Sequence, residues 1–147
     1  MNHFRVAAGI LRDAAGRVLI SERICDGPFD GLWEFPGGKI GVGETAADAL
    51  RRELAEELGI TVTSAQPFMA LHHEYPDRTV DLEFFLVSEW QGEPTGLEGQ
   101  DVRWVAPSEL RPGELLPADA PVVERLCLEK AAAEKILTGS KAQRSEP

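Results

Sequence analysis

Long apolar runs are missing from this chain. No stretch approaches the roughly 18 consecutive apolar residues of a membrane span. The opening MNHFRVAAGI has neither the basic start nor the apolar core of a secretory leader, so a cytoplasmic location is expected. Cysteine is scarce: Cys25 and Cys127 stand far apart and match no metal-binding or redox spacing, which leaves two reduced, structural thiols. Basic charge is also short, with 15 Lys and Arg against 25 Asp and Glu and a net charge of −10. Nucleic-acid polymers and anionic membranes attract basic surfaces, so neither is an expected partner. A small anionic substrate is compatible with this balance if a metal bridges the repulsion. No internal repeat, low-complexity tract or linker interrupts the chain, and 147 residues suit one domain with its own core.

What the chain does have is concentrated in residues 37 to 60, GGKIGVGETAADALRRELAEELGI. The pattern predicts a glycine-rich loop feeding a helix. Thr45 with Asp48 forms an aspartate variant of the capping box, and Gly59 sits where a helix ends in a left-handed residue. At about 100° per residue, Glu53, Glu56 and Glu57 share one side of this helix while Ala47, Leu50, Leu54 and Leu58 form an apolar stripe. Like charges at these spacings destabilise an isolated helix by a few tenths of a kcal/mol per pair, roughly, unless something positive neutralises them. All-oxygen ligands select hard cations, so Mg²⁺ is the expected cofactor, with Mn²⁺ as a substitute. Gly37, Gly38, Gly41 and Gly43 would permit positive φ and close backbone approach, as suits a loop that wraps phosphate or offers a carbonyl to a metal.

Taken in order, FRVAAGIL and RVLISER flank a turn at Asp13 to Gly16 and predict an opening hairpin. Arg23 is the last regular residue before an irregular loop, either a surface charge or a ligand arm. Trp33 is expected in the core, whereas Phe35 is poised between core and a base-stacking role. Strand patterns return in ITVTSAQPFMALHHEY and TVDLEFFLVSEW, joined through Pro76, Asp77 and Arg78 as a second hairpin. His72 and His73 would point to opposite faces of a strand and so make poor partners for one ion. A polar loop containing Glu98 leads to a short strand at Val102 to Val105. APSEL then predicts a helical turn, and a last helix is expected from about Pro121 to Leu137. Past Gly139, SKAQRSEP has no apolar anchor, so the domain is expected to span residues 1–138 and the tail 139–147 to be disordered. The element order suits an α+β fold in which a mixed β-sheet is sandwiched between helices, an α/β/α arrangement.

Gly38, five residues, Glu44, seven residues and then Arg52-Glu53-Leu54-Ala55-Glu56-Glu57-Leu58-Gly59-Ile60 resembles the Nudix box, with every defining position filled. Together with GLWEFPGGK, EYPDR, the EWQGEPTGLEGQD loop and LLPADAP, the chain looks like the MutT-type 8-oxo-dGTP diphosphatases of the Nudix hydrolase family. That resemblance implies the Nudix fold and hydrolysis of a nucleoside triphosphate to the monophosphate and pyrophosphate, with water attacking the β-phosphorus. It also implies sanitation of the nucleotide pool, and so a link to DNA replication and repair. By the same resemblance, metal contacts would come from Glu53, Glu56, Glu57, Glu98 and the carbonyl of Gly37. Arg52 would orient the carboxylates, and the general base is either Glu53 or Glu98. Arg23 and Arg78 would hold the substrate, and Glu34, Phe35, Pro36, Gly37 and Gly38 would line the nucleoside pocket. The implied partner is a small nucleoside triphosphate, bound by a monomer or, alternatively, a dimer.

Asp119 departs from the MutT pattern, which often has asparagine in this position. An ionised acid only accepts hydrogen bonds, so it suits N7–H of an 8-oxo-purine but is repelled by O6 unless it is protonated. The same Pro117-Ala118-Asp119 triplet occurs in relatives resembling cytidine triphosphate pyrophosphohydrolases, so CTP or 5-methyl-dCTP is the alternative substrate. Asp119 as a plain helix cap is the structural alternative. A nucleotide-binding Nudix domain without catalysis, and hydrolysis of another nucleoside-diphosphate-linked compound, complete the readings that the residues allow.

Overall fold

The computed structural model describes residues 2–25, 27 and 29–145. Seven strands and two long helices follow in the order β1 (Asn2–Leu11), β2 (Val18–Glu22), β3 (Trp33–Glu34), β4 (Gly37–Lys39), α1 (Ala46–Leu58), β5 (Thr61–Tyr75), β6 (Arg78–Gln91), β7 (Val102–Val105) and α2 (Ala120–Ser145). Short 3₁₀ turns at Pro107–Glu109, Pro112–Glu114 and Pro117–Asp119 lead into α2. The larger sheet has the order β4-β1-β6-β5. It is mixed because β1 runs parallel to β6 and antiparallel to β4. A smaller antiparallel sheet has the order β3-β2-β7.

Strand β1 sets the layers, because successive side chains leave opposite faces of a sheet. Ala7 and Leu11 pack with Ala49, Leu50, Leu54 and Leu58 of α1. Ala8 and Ile10 pack on the other face with Val122, Val123 and Leu126 of α2. Both faces are therefore covered, which confirms the expected α/β/α arrangement. Gly9 lies under α1, where an added Cβ would stand 2.9 Å from a Leu54 methyl, so its missing side chain lets the helix sit close. Burying Leu50, Leu54 and Leu58 fully contributes about 1.5–3 kcal/mol each and fixes which side of α1 is left for its acids.

Helix α1 begins as predicted, with the Asp48 N–H donating to the Thr45 hydroxyl at 3.1 Å. It ends at Gly59 with φ of 70°. The second hairpin is also present, but its turn is only Pro76-Asp77, and Arg78 already pairs with Tyr75. The opening hairpin is different. Only Arg12 bridges to Val18 at its base, and β2 then leaves for the smaller sheet. The reason is competition for one edge of β1: Gly37, Gly38 and Lys39 pair with Ala8, Ala7 and Val6. The stretch expected to be a glycine loop is thus partly strand β4, and neither Gly37 nor Gly38 has a positive φ, whereas Gly43 does at 79°. Helix α2 continues to Ser145, beyond the end expected near Leu137 and through part of the segment expected to be unstructured. Lys, Ala, Gln and Arg have high intrinsic helix propensity, which accounts for the difference in the backbone. Residues 146–147 lie outside the described residues.

Candidate active site

The carboxylate end of the site is built by α1 against β4. A Cβ at position 38 would collide with the Glu53 carboxyl group, so Gly38 makes the space in which that acid lies. The Gly37 N–H donates to Glu57 Oε2 at 3.2 Å, and the Gly41 N–H donates to Glu44 Oε1 at 2.7 Å. Close approach, rather than left-handed backbone, is what the first two glycines supply. Gly37 itself has no room for a side chain beside the Ala7 carbonyl.

Arg52 distributes its guanidinium among these acids. Its Nε and one terminal nitrogen donate to both oxygens of Glu44 at 2.7 and 2.8 Å. The other terminal nitrogen reaches Glu53 at 2.9 Å and Glu56 at 3.5 Å, and the Lys39 carbonyl accepts a further bond at 3.0 Å. A planar fork can make this set and a lysine cannot. Arg52 and the Gly41 N–H bring the Glu44 pKa down to about 2. Glu44 is the residue whose part sequence reasoning left unassigned. Its fixed place in the box, eight residues before Arg52, was the available signal.

Glu98 reaches the site through an unexpected anchor. The N–H groups of Thr95 and Leu97 donate to the Leu58 and Glu57 carbonyls at 3.1 and 3.0 Å. They satisfy orphan carbonyls at the C-terminus of α1, and Gln100 adds a bond to the Glu57 carbonyl at 3.3 Å. The loop therefore closes the helix end and brings Glu98 to a cleft of about 360 Å³ shared with Arg23, Glu34 and Glu57. Burial, and after it the charges of Glu53, Glu98 and Glu34, push the Glu57 pKa up to about 8 against the opposing Gly37 N–H. Burial is the larger cause of this shift and the crowding of carboxylates the smaller one.

An adjoining cavity of about 350 Å³ also has Arg23 and Glu34 in its wall, and extends to Phe35, Tyr75, Arg78 and Asp119. Arg23 donates to Glu34 at 3.3 Å, while its Nε is buried without a partner among the described residues. Burial raises the Glu34 pKa, and Arg23 and Arg78 counteract the rise. Arg78 lies 5.0 Å over the Tyr75 ring and 5.9 Å from that of Phe29. Phe35 is buried edge-on to Phe84, with ring centres 6.2 Å apart, so the core claims most of its ring. Pro36 is buried as well, its carbonyl accepting the Gly9 N–H at 2.8 Å. Asp119 is 3% exposed and accepts the Phe35 N–H at 3.1 Å. Burial, reinforced by Glu34, pushes its pKa up to about 8. Its bond crosses from the last 3₁₀ turn to the β3–β4 connection, which is not the pattern of an N-cap bonding its own helix.

The expectations for single residues thus separate. Arg23, Glu34, Glu57 and Glu98 meet in one cleft, and Arg23, Glu34, Phe35, Gly37, Gly38, Arg78 and Asp119 in the other. Glu53 lies beside them, held by Arg52, and Glu56 is exposed, 58% by side chain. The expected metal-ligand set of Gly37, Glu53, Glu56, Glu57 and Glu98 is not converged on one point, and among the described residues no group of three His, Cys, Asp or Glu is arranged to hold a metal. Arg52 engages Glu53 and Glu56, and the Gly37 N–H engages Glu57. The oxygen-only donors and the crowding of carboxylates around Glu57 nevertheless fit a hard divalent cation. His72 and His73 do lead to different surroundings, His72 bonding Asp81 at 2.7 Å and His73 lying against Tyr75. Cys25 and Cys127 are free thiols.

Comparison with known proteins decides the family, because the NUDIX domain matches residues 2–126. The chain belongs to the Nudix family. An 8-oxo-dGTP diphosphatase of Haemophilus influenzae is 43% identical, over 83% of this chain and 90% of that protein. Its Escherichia coli K12 counterpart is 41% identical, over 86% and 98%. A CTP pyrophosphohydrolase of E. coli K12 is 37% identical, over 86% and 93%. A solved chain from work on MutT of Aliivibrio salmonicida and Vibrio cholerae superposes with a TM-score of 0.72 at 34% identity, covering 87% of this chain and 99% of that one. This Nudix chain is accordingly a hydrolase of a family that generally uses a divalent metal and acts on small nucleoside triphosphates. Among the described residues, no helix is long and apolar enough to cross a membrane.

Proposed function

We propose that the chain hydrolyses 8-oxo-dGTP to 8-oxo-dGMP and pyrophosphate in the cytoplasm, with Mg²⁺ as its ion, and so removes an oxidised precursor from the pool used in DNA replication. The observation that carries this reading is the pair of adjoining cavities joined at Arg23 and Glu34, one acidic and one closed by Asp119. A nucleotide spanning both has its base against Asp119 and its phosphates against Arg23 and the carboxylate helix. With its pKa pushed up to about 8, Asp119 is mostly neutral at pH 7. Its free oxygen then donates to purine O6, while the oxygen already facing the Phe35 N–H takes N7–H on its second lone pair. That is the role of an amide in acid form, and it favours a purine carrying the added N7–H.

Glu53, Glu56, Glu57, Glu98 and the Gly37 carbonyl would hold the cation, which when bound supplies charge neutralisation to the phosphoryl oxygens. Arg23 binds the polyphosphate, and Arg78 lies over the base from the first position of β6. Arg52 and Glu44 hold Glu53 in place. Either Glu53 or Glu98 takes the proton of the water that attacks the β-phosphorus, and the nucleoside monophosphate leaves. Mn²⁺ would substitute for Mg²⁺ at an oxygen site of this kind, and the protein acts as a monomer in this reading.

The test is pyrophosphate release with Mg²⁺ from 8-oxo-dGTP, dGTP, dCTP, CTP and 5-methyl-dCTP. The highest kcat/KM is expected for 8-oxo-dGTP, and a higher value for any cytidine nucleotide overturns the reading. A cytidine triphosphate is the second reading, favoured by Asp119 itself, since an ionised acid accepts from the exocyclic amine. Tight nucleotide binding without turnover would instead mark a binding module.

A further inference from the structure

Tyr75 has a part that the reaction described above does not use. It closes β5, is 6% exposed and lies in the wall of the cavity that holds Asp119. Its ring is fixed from three sides. Phe29 meets it edge-on with centres 5.2 Å apart, His73 stands at 4.4 Å and the Arg78 guanidinium covers it at 5.0 Å. Such a ring loses little further freedom when a ligand arrives.

The hydroxyl is the informative end. It accepts the N–H of Ala118 at 3.4 Å, from the residue next to Asp119 in the Pro117–Asp119 turn. Asp119 is held on its other side by the Phe35 N–H. The hydrogen bond at Tyr75 uses a lone pair, and among the described residues nothing accepts the Tyr75 proton. A buried hydroxyl that accepts but does not donate has an unspent donor. Burial raises its pKa, so the proton stays on the oxygen across the ordinary pH range.

We infer that Tyr75 is a specificity-determining residue, which donates its hydroxyl proton to a carbonyl oxygen of the bound base while holding the Asp119 turn through Ala118. The inference rests on the proposal that the cavity takes a nucleobase. It adds a second polar group to base reading, one that selects bases by their carbonyls. A base with no carbonyl offers the donor ring nitrogens alone, so it makes no carbonyl bond with Tyr75.

The experiment is Tyr75→Phe, which keeps the ring and its contacts with Phe29 and Arg78. Calorimetry without turnover is run with 8-oxo-dGMP, dCMP and dAMP, the last having no carbonyl on its base, and steady-state kinetics are run with 8-oxo-dGTP. Loss of one neutral hydrogen bond predicts about fivefold weaker binding of 8-oxo-dGMP, with dAMP binding unchanged. KM should rise and kcat hold, because the carboxylate end is untouched. Equal affinity of wild type and variant for 8-oxo-dGMP overturns the inference. So does an equal loss with dAMP, which would reduce Tyr75 to a prop. If wild-type protein prefers dCMP, the oxidised-purine reading fails separately, and Tyr75 is judged by the same loss or equality with dCMP, whose base has a carbonyl.

Discussion

The two ends of the cleft are built in opposite ways. At the carboxylate end, Glu44, Arg52, Glu53, Glu57, Gly37 and Gly38 lie within about two dozen residues, and each acid except exposed Glu56 is fixed by a neighbour in the same stretch. At the end proposed to take the base, Arg23, Phe35, Tyr75 with Arg78, and Asp119 come from four segments that meet only in the folded chain. The first end is set by helix periodicity and one close strand contact. The second depends on which strand edges pair. Damage at the first should therefore remove chemistry from every substrate, and damage at the second should change which substrate is chosen.

Glu53→Gln gives the sharpest break. It keeps shape and removes charge from the acid that lies between Arg52 and Gly38. A general base contributes about 10²–10⁴-fold, so kcat should fall within that range for 8-oxo-dGTP and CTP alike. Unequal losses between the two nucleotides in steady-state assays would show that the acid also reads the base. Gly38→Ala follows, because the added methyl must push the Glu53 carboxyl group aside. A displacement on the order of 1 Å costs about 10²-fold in rate, and nucleotide-monophosphate binding should be spared.

The same contrast explains what was legible in the sequence. Helix α1, its Thr45 cap and its end at Gly59 follow from spacing alone, and the structure places them as that spacing requires. Strand β4 was not legible, because Gly-Gly-Lys has no strand preference. It is held by the free edge of β1, which only the parallel pairing of β1 with β6 leaves in position. The pairing of β4 with β1 also displaced the expected opening hairpin. The link between Glu98 and α1 was hidden for a related reason, since it consists of backbone N–H groups meeting helix carbonyls and leaves no trace in side-chain pattern. Asp119 could be singled out from the sequence, but its protonation could not: burial and Glu34, not the local triplet, raise its pKa.

Arg52→Lys tests the wiring of the carboxylate end with a smaller expected effect. Lysine keeps the positive charge but cannot bridge Glu44, Glu53 and the Lys39 carbonyl together. Supporting partners of this kind typically contribute 10–100-fold to activity, and retention of charge places the expected loss near the lower bound, about tenfold. The thermal midpoint should change little, because exposed ion pairs contribute little to stability. A large fall in the midpoint would mean that the network holds the fold rather than the chemistry.

Asp119→Asn should have the smallest effect at neutral pH and the most specific one above it. The wild-type acid has a pKa raised to about 8, so it is mostly neutral at pH 7 and resembles the amide that replaces it. Above pH 8 it ionises and repels purine O6. If only the neutral form binds, affinity for 8-oxo-dGMP falls about tenfold for each further pH unit. The asparagine variant has no such proton and should bind with a flat profile over the same range, as calorimetry at pH 6, 7, 8 and 9 would show. Stability must carry the same signature with its own sign. Because the folded pKa lies above the ordinary 3.8, the contribution of the neutral acid is complete below about pH 4 and is lost as pH rises to about 8. Relative to the asparagine variant, wild-type stability should therefore decline across that window and level off beyond it. A flat difference between the two proteins would mean that Asp119 is ionised in the fold, and would move the base end toward a donor-rich pyrimidine.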